Sequence, residues 1–306
     1  MSAGRITLKQ LCLLYQEHNT RSDKTICFRK CFTRIVCNAF GPKRLVELIR
    51  SQDWDNFARY LVEVRRRNKA LSATYRYRLQ IAFASLMKFA LNRGDILRNP
   101  FAGARLPAPP VAKNRAFFVT PELYAEAMAI LPPDLKVVLA LARYGGLRVP
   151  SEARLVRWGD VDWKNQELFV RSPKTEYWGK FARTIPLFAE LRPVLRQRRR
   201  EIRQKFGKVD PAETILNRHT LAATWDRQAR RAFEKHNKKP WPKLWINCRS
   251  SRVTELMALC GPNTFDFTDV AAWMGHSANV MIEHYKQESA TARRRAATAI
   301  LAIAKS

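Results

Sequence analysis

The sequence predicts a mainly α-helical chain with one small antiparallel β-sheet in its C-terminal half, organised as two domains. Three observations predict this. Apolar residues recur at helical spacing through the first hundred residues and through most of the chain after 117. A stretch from about 99 to 116, punctuated by Pro100, Pro107, Pro109 and Pro110, has no helical period and reads as a linker. Glu167 to Arg171 and Ala182 to Pro186 read as short strands about a turn containing Gly179. A chain of 306 residues is also long enough for two cores.

Taken in order, Thr7 is a good N-cap for a helix from Leu8 to His18, with Leu8, Leu11, Cys12 and Tyr15 on one face. A second helix fits Lys24 to Phe40 and stops at Gly41-Pro42. A third fits Trp54 to Arg67, on the stripe Phe57, Leu61 and Val64. A fourth runs from Ser72 to about Asn92, before Gly94, and carries Arg76 and Arg78 in its first half. These four make a small helical domain over 1–105, joined by a 106–116 linker to a second domain at 117–306. There, Thr120-Pro121-Glu122 opens a helix at 121–131, and another fits 134–144. Gly145-Gly146 breaks the pattern, and Ser151 can cap a short helix to Trp158. After the two strands, helices fit 188–205, 220–236, 250–260, 266–273 and 290–304.

Charge narrows the function. Lys and Arg total 56 against 26 Asp and Glu, a net charge of +30. Each domain carries about half of the excess, about +14 in the first and about +16 in the rest. That distribution points to a polyanion, with nucleic acid as the first choice and anionic membrane the second. No apolar stretch approaches a membrane span, and Met1 to Gln10 has no apolar core of a signal peptide. The expected location is cytoplasmic, with nucleoid association if the protein is bacterial. Cys27 and Cys31 share a helix face but lack the partners of a zinc site, so the cysteines read as core thiols. The arginine runs 65–67, 198–200 and 293–295 are each either solvated helix faces or contacts to a DNA backbone.

Two local patterns carry chemistry. In Gly145-Gly146-Leu147-Arg148-Val149-Pro150-Ser151-Glu152 an arginine follows a glycine pair, and Glu152 is placed to orient it. In Trp273-Met274-Gly275-His276-Ser277 a histidine sits at a tight turn, with Tyr285 nine residues on. Between them lie Trp158-Gly159-Asp160-Val161-Asp162, Ser172-Pro173-Lys174-Thr175, Arg183-Thr184-Ile185-Pro186-Leu187, Cys248-Arg249-Ser250 and Thr254-Glu255-Leu256. In this order and at these spacings the motifs resemble the tyrosine recombinase (phage integrase) family. The likeness covers nearly the whole chain. The N-terminal half resembles that family's helical core-binding (SAM-like) domain, especially over Ser72 to Pro100, and the part from 117 onward its catalytic domain.

The resemblance implies a site-specific DNA recombinase or integrase. Tyr285 would be the nucleophile that forms a covalent 3′-phosphotyrosine. Arg148 and Arg249 would clamp the scissile phosphate with their planar forks. Lys174 would protonate the departing 5′-oxygen, and His276 would donate a further hydrogen bond. Glu152 and Asn247 would support the site. No metal or other cofactor is implied, because cations of the protein supply the charge. Arg76, Arg78, Arg105, Lys113 and Arg115 are candidate DNA contacts. The working unit would be a homotetramer on two DNA sites, with the two domains of each copy closing around duplex DNA. One position departs from the family pattern: its usual histidine, three residues before the second arginine, is Ile246 here. Isoleucine is no base, and a lost general base costs about 10²–10⁴ in rate. That leaves a catalytically weak or inactive DNA-binding protein of the same fold as the alternative. A metal-dependent nuclease using Glu152, Asp160 and Asp162, and a helical interaction module with incidental charge, are further rivals.

Overall fold

A computed structural model of the chain describes residues 6–18, 23–66, 68–104, 109, 117–173, 176, 179, 181–216, 222–261 and 264–276. The chain divides into two compact units, Met1–Ala112 and Lys113–Ser306.

The first unit is built from α1 (Leu8–Glu17), α2 (Asp23–Phe40), α3 (Gln52–Glu63) and α4 (Ala73–Arg93). Thr7 opens α1 with a capping box: its hydroxyl accepts from the Gln10 N–H, and the Gln10 side chain accepts from the Thr7 N–H. Ser72 caps α4, and Gly94 ends it in the left-handed region at φ +80°, where a side chain would be strained. Leu8, Leu11, Phe32, Val36, Phe57, Leu61, Phe83 and Leu86 are buried between the helices. Phe83 contacts Phe57 and Phe101, with ring centroids 4.9 and 4.7 Å away.

The third helix is shorter than the sequence pattern predicts. It ends at Glu63, and β1 (Arg65–Arg66) pairs with β2 (Lys69–Ala70) in a two-residue hairpin. Asn68, at φ +61°, supplies the left-handed residue that such a turn needs. The arginine run 65–67 therefore begins in a hairpin rather than on a helix face. Cys12 is buried and Cys31 and Cys37 are half-buried, but Cys27 is exposed, so not all of these thiols are core residues.

The second unit holds α5 (Pro121–Ile130), α6 (Pro133–Arg143), β3 (Val161–Asp162), β4 (Glu167–Arg171), β5 (Ala182–Pro186), α7 (Arg192–Phe206), α8 (Trp225–Lys235), α9 (Leu244–Leu259) and α10 (Phe267–Met274). Every residue of α6 from Val137 to Arg143 is buried, so this helix is the centre of the unit, with α9 and α7 packed on it. The sheet order is β3-β4-β5, all antiparallel, with Leu168 opposite Ile185 and Val170 opposite Arg183. Leu168 and Val170 face the core while Glu167 and Phe169 face out, the period-two pattern of a half-buried strand.

Several boundaries differ from expectation; helix α8 begins at Trp225 rather than 220, after a 3₁₀ turn at Ala222–Thr224. No helix runs from Ser151 to Trp158; two 3₁₀ turns, Ala153–Leu155 and Trp158–Asp160, stand there. The N–H groups of Trp158 and Gly159 bond to the Glu213 and Pro211 carbonyls, so they are not available to a helix. Helix α7 begins at Arg192 rather than 188, with Pro193 in its first turn. Helix α9 begins six residues before the expected 250, because Trp245 and Cys248 add to its buried face. The helix expected at 290–304 lies outside the described residues, as does most of the 106–116 segment. Among the described residues no helix is long and apolar enough to cross a membrane.

Candidate active site

The buried end of α6 fixes the first wall of the site. Arg143 is fully buried; its Nε donates to the Val119 carbonyl at 2.9 Å and its Nη1 to Glu255 on α9 at 2.7 Å. The chain then turns through Gly145-Gly146. Gly146 has φ +64°, and a Cβ there would lie 2.4 Å from the Met274 sulfur. The missing side chain lets the loop press against the end of α10. Arg148 follows two residues after Gly146.

The second wall is the C-terminus of α10. Gly275 ends the helix in the left-handed region, at φ +59°. The carbonyls of a helix's last turn lack partners within the helix and carry its negative dipole end. Three guanidinium groups take them in turn. Arg183 of β5 donates from Nε to the Trp273 carbonyl at 2.5 Å. Arg249 of α9 donates to the Met274 carbonyl. Arg148 donates from Nη2 to the Gly275 carbonyl at 2.6 Å. Arg249 also reaches the Gly146 carbonyl at 2.6 Å, which joins both walls.

Glu152 sits beneath these cations with a side chain 0% exposed. Its carboxylate accepts from the Arg148 N–H at 2.8 Å and from Arg148 Nη1 at 2.5 Å. It also accepts from both Nη atoms of Arg183, at 2.9 and 2.8 Å, and from the Ser172 hydroxyl at 3.2 Å. Arg249 Nη1 lies 3.6 Å away. Burial alone would raise the Glu152 pKa. The Arg183 hydrogen bonds and the charges of Arg183 and Arg148 reverse that and hold it at about 2. One carboxylate therefore faces three guanidinium groups, and the cluster keeps a positive excess suited to a phosphodiester.

His276 follows Gly275. Burial and the charges of Arg249, Arg148 and Arg183 lower its pKa to about 3, so the ring is neutral at physiological pH. Its Nε2 lies 2.9 Å from Arg249 Nη2. A guanidinium has no acceptor, so Nε2 accepts and the ring proton resides on Nδ1.

The structure thus brings Arg148, Arg249, His276 and Glu152 together, and adds Arg183 and Ser172. Both belong to motifs of the sequence pattern, which gives neither a role. One signal in the sequence points to Arg183: an arginine inside an otherwise half-apolar strand requires a carboxylate partner. Lys174 and Tyr285 lie outside the described residues, as do Arg105, Lys113 and Arg115. Ser172, two residues before Lys174, pairs through its N–H with the Phe181 carbonyl at 2.6 Å, next to the last β4–β5 pair. The Ser172 hydroxyl also accepts from Arg183 at 2.6 Å, so this end of the strand pair is tied to the cluster. Asn247 is buried, and its amide donates to the Pro242 carbonyl at the start of α9. Ile246 is 59% exposed on the same helix.

Asp160 accepts from the Arg157 N–H and from Arg171, and Asp162 from the N–H groups of Lys164 and Asn165. These two carboxylates serve local turns, and Glu152 serves the arginines. Among the described residues no group of three or more His, Cys, Asp or Glu side chains is placed to hold a metal ion. Arg198 of the 198–200 run is buried and pairs with Asp134, a structural role.

In the first unit, Arg34, Arg65 and Arg66 line a concavity of about 430 Å³ with Tyr60 and Tyr75. Arg76 is half-buried near the start of α4; Arg78 is exposed there, its guanidinium 5.0 Å from the centre of the Phe28 ring.

No family model matches the sequence, and no curated protein matches it either. Solved structures do. The Tn1549 transposon integrase in complex with a circular intermediate DNA superposes with a TM-score of 0.71 over 96% of this chain and 99% of that one, at 16% identity. A lambda integrase dimer bound to a COC′ core site superposes with a TM-score of 0.68 over 94% of this chain and 79% of that one, at 18% identity. The fold is that of the tyrosine recombinases. A lambda integrase tetramer bound to a Holliday junction also matches, with a TM-score of 0.66 at 17% identity over 94% of this chain and 82% of that one.

Proposed function

We propose that this protein is a site-specific DNA recombinase that cleaves and rejoins duplex DNA through a covalent phosphotyrosine. The observation that carries the reading is the convergence of Arg148, Arg249 and Arg183 on the last carbonyls of α10, with His276 beside them and one carboxylate beneath. Fold likeness to integrases solved on DNA supports it.

In this reading Arg148 and Arg249 receive the non-bridging oxygens of the scissile phosphate. Arg148 is the more exposed of the two, 20% against 10% at the side chain, and is the first to meet DNA. The Tyr285 hydroxyl gives its proton to water, its oxygen attacks phosphorus to form the Oη–P bond, and the bond from phosphorus to the 5′-oxygen breaks. Lys174 gives the leaving oxygen its proton. The arginines stabilise the charge of the five-coordinate transition state. His276, carrying its proton on Nδ1, is a neutral donor rather than a base. A 5′-hydroxyl from another strand reverses the steps and restores the phosphodiester without an external energy source. The assembly proposed is a homotetramer on two DNA sites.

A nicked duplex tests this. The fragment beyond the cleaved bond diffuses away, so a covalent protein–DNA adduct should accumulate and should be absent in Tyr285→Phe. A second reading, a DNA-binding protein with little or no strand transfer, is favoured by one observation: Ile246 replaces the family's base, and the neighbouring Asn247 amide is engaged with Pro242. No adduct on any of a broad set of duplexes, with affinity retained, would establish that alternative.

A further inference from the structure

Helix α7 carries a second basic feature that contributes no side chain to the arginine cluster. Arg196, Arg199, Arg200 and Arg203 stand at i, i+3, i+4 and i+7. At 3.6 residues per turn they share an arc of about 100° and span about 10 Å along the axis. All four are exposed, and together they line a shallow concavity of about 520 Å³. Arg196 and Arg199 lie over the Trp163 ring, 5.9 and 5.8 Å from its centre. That contact holds two guanidinium groups in place before any ligand arrives.

None of the four has a carboxylate partner among the described residues. Other arginines of the same unit do: Arg198 pairs with Asp134, Arg171 with Asp160, Arg230 with Asp226 and Arg252 with Glu190. Packing of α7 uses Leu195 and Arg198, which are buried. The four exposed arginines therefore repel one another at helix-neighbour spacing, with only the contact of two of them to the Trp163 ring in return.

We propose that this face of α7 binds the phosphate backbone of a second DNA duplex, separate from the duplex whose phosphate enters the arginine cluster. The inference rests on the DNA reading above. Chemistry favours this occupant. About 10 Å of duplex presents about three phosphates of one strand, at about 3.4 Å each, to four guanidinium forks.

The test loads the full-length protein on a short biotinylated duplex and measures capture of a second, fluorescent duplex. In the variant carrying Arg196→Gln, Arg199→Gln, Arg200→Gln and Arg203→Gln, first-duplex affinity should stay within about twofold. Second-duplex capture should fall at least about tenfold. The slope of log affinity for the second duplex against log salt should drop by about 2 to 3, as about three phosphate contacts are lost. A parallel set of Arg→Lys substitutions should retain most of the capture. Unchanged capture in the Gln variant would overturn the proposal. So would an equal loss of both duplexes, which would make the face part of a single-duplex interface, or displacement by polyglutamate but not by DNA. If wild-type protein binds no duplex at all, the recombinase reading itself has failed; normal first-duplex binding with no effect of the substitutions sinks only the α7 proposal.

Discussion

Glu152 has no solvent exposure and is the acceptor for two arginines, a backbone N–H and a serine. Removing its charge leaves three guanidinium groups facing one another. Glu152→Gln should destabilise the second unit by about 3–5 kcal/mol, read as a lower urea midpoint with an unchanged slope. Acid should act in the same direction. The Glu152 pKa falls from its ordinary 4.5 to about 2 on folding, so its stabilisation is full above pH 4.5 and is lost as pH drops towards 2. That contribution is on the order of 3 kcal/mol. His276 falls from 6.5 to about 3. Between those values the unfolded chain holds a proton that the folded one does not, so stability also declines as pH drops below 6.5. Thermal melts from pH 7 to pH 3 should show a monotonic fall, and His276→Gln should flatten its upper part.

At the scale of elements, the site depends on how closely the Gly146 loop approaches α10. A methyl group at Gly146 would meet the Met274 sulfur at 2.4 Å and would also be strained at φ +64°. Gly146→Ala should cost about 1–3 kcal/mol and weaken duplex binding, because Arg148 and the carbonyl that holds Arg249 move with the loop. Met274→Ala in the same chain should recover part of the loss; no recovery in a paired melting and binding measurement would mean that backbone strain, not the clash, dominates. The helix caps are legible in the residues alone. Thr7, Ser72 and Thr120 each accept an N–H of the first turn, as their residue types and positions predict. The end of the 151–158 segment is not legible in the same way, because the Glu213 carbonyl that takes the Trp158 N–H comes from 55 residues further along the chain.

For the whole molecule, the charge excess is present in both units, so duplex affinity should fall steeply with salt, by about 10³ or more between 50 and 200 mM if six or more phosphates are engaged. A shallow dependence in a filter-binding or anisotropy titration would remove the basis for the DNA reading. Strand cleavage, where it occurs, should persist in EDTA; abolition by the chelator would replace the arginine mechanism with a metal-dependent one.

The sequence by itself determined the helical class and the position of the sheet, because helical period, strand alternation and cap chemistry are local properties. Glu167 to Arg171 and Ala182 to Pro186 are the observed strands to the residue. It also picked out Arg148, Arg249, His276 and Glu152, which lie up to 128 positions apart (148 to 276) and meet in one cluster. Only the tertiary structure decided what surrounds them. The role of Arg183, the tie from Ser172 to Glu152, the neutral state of His276 and the burial of Arg198 against Asp134 all depend on which charges become neighbours in a medium from which water is excluded. There a charge must find its opposite, and that opposite comes from a distant part of the chain.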